Sequence, residues 1–150
     1  MDDQAFLAIA IEQARIGRSE GGIPIGAVLV ADGRVLGAGR NRRVQDGSAI
    51  HHGEMNALEL AGRQPAEVYA RSTMYTTLSP CHMCTGAILL YGIKRVVIGE
   101  NRTFMGAEDL LRSHGVEVVV VDADECSQLM SEFIAESPSL WNEDIGEPDT

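Results

Sequence analysis

Cys81 and Cys84 stand three residues apart in Pro80-Cys81-His82-Met83-Cys84. The stretch reads as the start of a helix, where that spacing brings both sulfurs to one face. A helix N-terminus favours thiolates through its dipole and its free N–H groups. Such a pair can carry out thiol–disulfide exchange, form half of a structural zinc site, supply two ligands to a catalytic metal, or do none of these. A redox pair belongs after the first strand of a βαβ unit. A structural zinc site needs a second Cys or His pair, which Cys126 alone does not supply.

The stretch AIHHGEMN, residues 49–56, narrows the choice. His52-Gly53-Glu54 is an H-x-E, and Cys81 follows His52 by 29 positions. H-x-E followed by P-C-x-x-C is the signature of zinc-dependent nucleobase deaminases, with the Glu outside the ligand set. One imidazole and two thiolates balance the charge of Zn2+ and leave a fourth tetrahedral position for water. The metal acidifies that water to near neutrality. A carboxylate beside it can take the proton and pass it to a ring nitrogen or a departing amine, which accounts for Glu54. His52 is the better ligand, because only it has this spacing to Glu54. His51 reads as a loop residue, His82 as facing away around the helix, His114 as a solvated helix end, and Cys126 as a core or surface residue of its helix.

The elements that must position these groups follow from periodicity. Apolar residues at Phe6, Leu7, Ile9, Ala10, Ile11 and Ala14 predict a helix over 4–16, ended by Gly21-Gly22. Two β-rich runs flank Asp32-Gly33, a hairpin signal. Residues 53–62 read as a helix and 72–78 as a strand. Ser79 is the expected N-cap and Pro80 the first residue of the Cys81 helix, which Gly92 ends. Residues 94–100 and 116–122 read as buried strands around a short helix near 107–114, and a last helix covers 124–136. The end, SPSLWNEDIGEPDT, is polar and acidic around the single tryptophan. A hairpin followed by alternating helices and strands implies one sheet covered on both faces, with the last two strands parallel.

The 150 residues are the size of one domain, expected to span 1–150. A net charge of −10 repels phosphate backbones, so binding to long nucleic acid is not expected. No apolar run approaches a membrane span, and the N-terminus is acidic where a secretory signal is basic. The expected location is the cytoplasm, where an odd count of three cysteines argues for free thiols or metal ligands.

From EGGIPIG (20–26) to WNEDIGE (141–147), the chain resembles the small zinc-dependent cytosine deaminases of the fungal type, within the cytidine-deaminase-like superfamily. The resemblance rests on GSAIHHGEMNALE, YTTLSPCHMCTGAILLYGI, GENRTF, EVVVVD and the tail W-x-EDIGE. It implies a three-layer α/β/α sandwich with a five-stranded mixed sheet, in a homodimer. It implies zinc on His52, Cys81 and Cys84, and a proton shuttle at Glu54. Asn41 corresponds to the pyrimidine-binding asparagine, and the Gly53 backbone N–H to the contact with the base carbonyl. Phe104 and Trp141 correspond to residues packed on the ring, with Ile25 below it. Asp144 corresponds to the acceptor for the departing exocyclic amine, and residues 138–150 to a lid. Arg40 and Asn142 depart from the family pattern, beside Asn41 and Trp141.

The implied activity is hydrolysis of the free base cytosine to uracil and ammonia, in pyrimidine salvage. The alternatives are guanine or another amino-heterocycle, adenosine in transfer RNA, and a zinc-stabilised binding module without turnover. An RNA-acting relative should have a basic face and usually reads H-A-E, whereas this chain is acidic and reads H-G-E. A binding module has no use for a non-ligand acid at Glu54.

Overall fold

The computed structural model describes residues 2–149. Helix α1 (Asp3–Ser19) is capped by the Asp2 carboxylate, which accepts from the Ala5 N–H. It runs a turn beyond the expected span, to just before Gly21-Gly22. Strands β1 (Gly26–Ala31) and β2 (Arg34–Arg40) form the expected hairpin. Asp32 and Gly33 both take positive φ, 54° and 73°, as a two-residue turn matched to strand twist requires.

Short helix α2 (Arg43–Asp46) leads to α3 (Gly53–Ala61). Helix α4 (Ala66–Ala70) then precedes β3 (Ser72–Leu78). Neither α2 nor α4 was expected from periodicity; a helix of one turn is too short to show a stripe. Helix α5 (His82–Tyr91) follows β3 and ends at Gly92 in the left-handed conformation. Then come β4 (Arg95–Glu100), α6 (Glu108–Ser113), β5 (Glu117–Val120), α7 (Asp124–Glu136) and α8 (Pro138–Asp144).

The five strands lie in the order β2-β1-β3-β4-β5. Strand β1 is antiparallel to β2 and β3, while β3, β4 and β5 are mutually parallel. Alternation along β1 divides the core in two. Ala27 and Leu29 join a cluster with Ala57 of α3, Ile88 of α5 and Leu111 of α6. Val28 and Val30 face a cluster with Phe6, Leu7 and Ala10 of α1 and Cys126 of α7. This is the expected three-layer α/β/α sandwich with a mixed five-stranded sheet.

Helix α3 approaches the sheet at Gly39, where a Cβ would lie 2.5 Å from the Ala57 nitrogen. Only glycine allows that approach, which settles the start of α3 beside the end of β2.

Three expectations need correction. The N-cap of α5 is Cys81, with Sγ accepting from the Cys84 N–H at 3.5 Å; Ser79 and Pro80 lie before the helix. The Ser79 hydroxyl is engaged elsewhere, with Glu108. Strand β5 is not buried: Glu117 is exposed and Val118 to Val120 are partly so, because it is the sheet edge. The acidic tail contains a helix, α8, announced by Ser137 at the N-cap and Pro138 at the first position.

Candidate active site

Two helix N-termini meet at the ends of β2 and β3. His52 is the N-cap of α3 and Cys81 the N-cap of α5. His52 Nδ1 lies 3.5 Å from Cys81 Sγ and 3.7 Å from Cys84 Sγ. The three ligand atoms all fall within 4.8 Å of one another. Zinc with bonds of about 2.3 Å to sulfur and about 2.0–2.1 Å to nitrogen, at tetrahedral angles, separates those ligands by roughly 3.6 Å. The donor set therefore fits zinc in both chemistry and spacing. The other imidazole nitrogen, Nε2, lies 3.4 Å from Asp144 Oδ1, and a carboxylate there orients a ligand ring.

Glu54 is buried, at 4% exposure, in the first turn of α3. Burial pushes its carboxyl up to about 7, against the lowering pull of His52. The Cys84 thiol's hydrogen bond pulls Cys81 down, and the same contact together with burial pushes Cys84 up. A bound dication overrides this for Cys84, since a coordinating thiol loses its proton. Asp144 is also raised by burial, with His52 and the Asn41 hydrogen bond acting in the other direction.

One cavity collects the expected residues. Asn41, His52, Gly53, Glu54, Cys81 and Asp144 form its polar side. Ile25, Phe104 and Trp141 form its apolar side. Cys84 lies behind it, fully buried. Asn41 follows β2 and is fully buried; its Nδ2 donates to Asp144 Oδ1 at 2.8 Å, and its Oδ1 accepts from the Arg43 N–H at 3.0 Å. The Phe104 and Trp141 rings meet edge-on, 5.9 Å between centroids. Trp141 also packs in the cluster of Met130 and Phe133, so α8 belongs both to the cavity wall and to the core. The cavity is tight, with about 10 Å3 open to the centres of water-sized molecules.

Leu78, Ser79 and Ile145 also line it and were not singled out from the sequence. Adjacency to Pro80-Cys81 was the available signal for the first two. Arg40 and Asn142 do not line it. Arg40 is turned to Glu20, at 2.8 and 3.0 Å, and to Gln13. Asn142 donates to Asp149 at 3.0 Å. His51 lies between Asp46 and Asn56, at 2.7 and 3.0 Å, and braces the loop before α3. His82 and His114 are exposed, and Cys126 is buried in the core.

An imidazole and two sulfurs at converging helix N-termini, with a buried acid left over beside them, define a class: the zinc-dependent deaminases. The chain belongs to the cytidine and deoxycytidylate deaminase family, whose zinc-binding region matches residues 1–100. Its sequence is 59% identical to a cytosine deaminase of Candida albicans, over 97% of this chain and 98% of that one. It is 38% identical to a tRNA-specific adenosine deaminase of Haemophilus influenzae, over 87% of this chain and 82% of that one. Among solved structures, one from a study of tRNA:A34 deaminases superposes with a TM-score of 0.71 at 27% identity, covering 84% of this chain and 99% of that one.

Proposed function

We propose that the chain is a hydrolytic deaminase of the free base cytosine, releasing uracil and ammonia. The observation that carries the reading is the closure of one small cavity over His52, Cys81 and Glu54 by Trp141, Phe104 and Asp144. The 59% identity to a cytosine deaminase, along nearly all of both chains, supports the same substrate.

Bound to His52, Cys81 and Cys84, zinc supplies a water acidic enough to be nucleophilic near neutral pH. Glu54 accepts one proton of that water and delivers it to N3 of the ring. It then takes the second from the hydroxyl now on C4 and passes it to the amine, which leaves as ammonia as C4 becomes a carbonyl. Burial raises its carboxyl, the direction that suits a group which must hold a proton between accepting and giving it. Asn41 and the Gly53 N–H bind the polar edge of the base. Phe104 and Trp141 pack on the ring, with Ile25 beneath. Asp144 accepts from the exocyclic amine, held in position by Asn41. The closed walls exclude bulk water and strengthen these interactions.

Residues 2–149 act as one domain, and 138–149 serve as a lid; Met1 and Thr150, the ends of the expected spans, lie outside the described residues. The inner cavity has room for about one water, and a wider cavity shares its His52, Cys81, Phe104 and Asp144 wall, so a base reaches Glu54 as α8 or the Phe104 loop gives way. The chain works as a cytoplasmic homodimer in pyrimidine salvage. Exposed Leu90 and Tyr91, beside Tyr69, supply an apolar patch for such pairing. No described helix is long and apolar enough to cross a membrane.

Ammonia release from cytosine, guanine, adenine, cytidine and transfer RNA tests the substrate. Cytosine should give the highest kcat/KM, and faster release from any other substrate overturns the reading. Adenosine in transfer RNA is the second reading, favoured by the 38% relative. The net charge of −10 and the tight cavity weigh against it.

A further inference from the structure

Behind the Phe104 side of the cavity lies a buried carboxylate that the chemistry above does not use. Glu108 is 2% exposed. Its Oε2 accepts from the Ser79 hydroxyl at 2.6 Å, and Asn101 Nδ2 donates to both carboxylate oxygens at 3.2 Å. Ser79 Oγ in turn accepts from the Gly106 N–H at 2.9 Å. The Ala107 N–H donates to the Pro80 carbonyl at 3.1 Å. A Cβ on Gly106 would lie 1.8 Å from that same carbonyl oxygen, so the loop sits directly on the chain.

These contacts join two segments. One is Ser79-Pro80, immediately before Cys81. The other is the loop 101–106, which carries Phe104 against Trp141. The far side of the loop is held by Glu100, fully buried, which accepts from the backbone N–H groups of Arg102 at 2.7 Å and Thr103 at 3.0 Å. Burying a carboxylate is costly unless it is fully bonded, and an apolar residue would anchor α6 at less cost. An ionised carboxylate only accepts hydrogen bonds. The Ser79 proton must then point to Glu108, which leaves the Ser79 oxygen free to accept from Gly106. Charge at Glu108 thereby fixes the direction of the bonds it accepts from Ser79 and Asn101.

We propose that Glu108 is a positioning residue. Through Ser79 and Asn101 it sets the loop 101–106, and hence Phe104, over the ring-binding cavity. The proposal rests on the cytosine reading for its kinetic consequence, but its structural consequence can be read separately.

The test compares Glu108→Gln, Ser79→Ala and the double variant in the zinc-loaded full chain. Glutamine keeps the shape but brings a donor amide toward Ser79 or Asn101, so one bond of the relay is lost. Expected are a KM for cytosine raised about tenfold, kcat changed much less, and zinc content unchanged. The double variant should be no worse than the worse single one, because both break one relay. Trp141 is the only tryptophan, so its emission should shift as Phe104 leaves its edge. Lowered thermal stability with KM and emission unchanged would overturn the proposal, as would strict additivity. Asn101→Ala, which removes the two Nδ2 contacts to Glu108 from a half-buried residue, carries the emission test if the others do not fold. If the parent chain does not deaminate cytosine, the substrate reading fails, and the emission arm still decides the positioning role.

Discussion

Asn41 and Asp144 are joined by a 2.8 Å hydrogen bond between residues 103 positions apart in sequence, both of them buried. The bond ties the end of β2 to the end of α8 and closes the cavity over His52. Its carboxylate oxygen is also the one 3.4 Å from His52 Nε2. One acceptor therefore joins the end of α8, Asn41 and the His52 ring. Asp144→Ala should leave a buried amide without its partner, at about 1–3 kcal/mol, and should reduce kcat/KM by more than that stability loss explains. Urea unfolding beside steady-state kinetics separates the two effects.

The same closure bears on substrate size. With Trp141 and Asp144 walling the cavity, cytosine should be turned over in preference to cytidine, which is larger by a ribose. Deleting residues 139–150 should abolish that preference along with most activity. Since Trp141 packs on Met130 and Phe133, the deletion should also lower Tm. Equal kcat/KM for cytosine and cytidine in the full chain would refute the lid.

Glu54→Gln should retain zinc and lose turnover by about 10²–10⁴-fold, the usual range for a general acid–base group. The amide occupies the same space at the start of α3 but cannot take up a proton. Single-turnover kinetics with elemental analysis on one preparation would check both halves of the statement.

The purified chain should carry one zinc per molecule, and the double variant Cys81→Ala, Cys84→Ala none. Chelation should lower Tm in the parent chain but not in that variant, because the metal joins the starts of α3 and α5 and stabilises the folded state by mass action. Zinc retained by the double variant would reassign the ligands.

Acid stability should depend on Asp3. The hydrogen bond from Arg95 outweighs burial and lowers its carboxyl from 3.8 to about 2. A depressed carboxylate contributes stability above its unfolded value, and that contribution is lost as pH falls from about 4 through about 2. The two side chains are about a third exposed, so screening reduces the contribution to about 1 kcal/mol. Asp3→Asn should be less stable than the parent chain at pH 6, with the difference shrinking below about pH 4 and vanishing below about pH 2. A difference that stays constant across that range would remove Arg95 as its cause.

Sequence alone determined the metal chemistry and the layering of the fold. H-x-E and P-C-x-x-C are local patterns, and each sits at a helix start that local signals also mark, so their spacing carries the chemistry without long-range information. Strands and the long helices were legible because period 2 and period 3.6 are local properties of a chain that buries one face. Helix α8 was missed for lack of a stripe, although Ser137-Pro138 marked its start, and the α5 cap was misread because a cysteine sulfur took the role expected of Ser79. Asn41, Phe104, Trp141 and Asp144 were reached only through resemblance, since spacing within the chain says nothing of which distant loops meet. Tertiary structure alone decided the Asn41–Asp144 bond, the turning of Arg40 and Asn142 away from the cavity, and the burial of Glu100 and Glu108. In a sequence, a buried carboxylate reads like the many that face water. Only the closing of distant segments around it supplies the hydrogen bonds that make its burial possible.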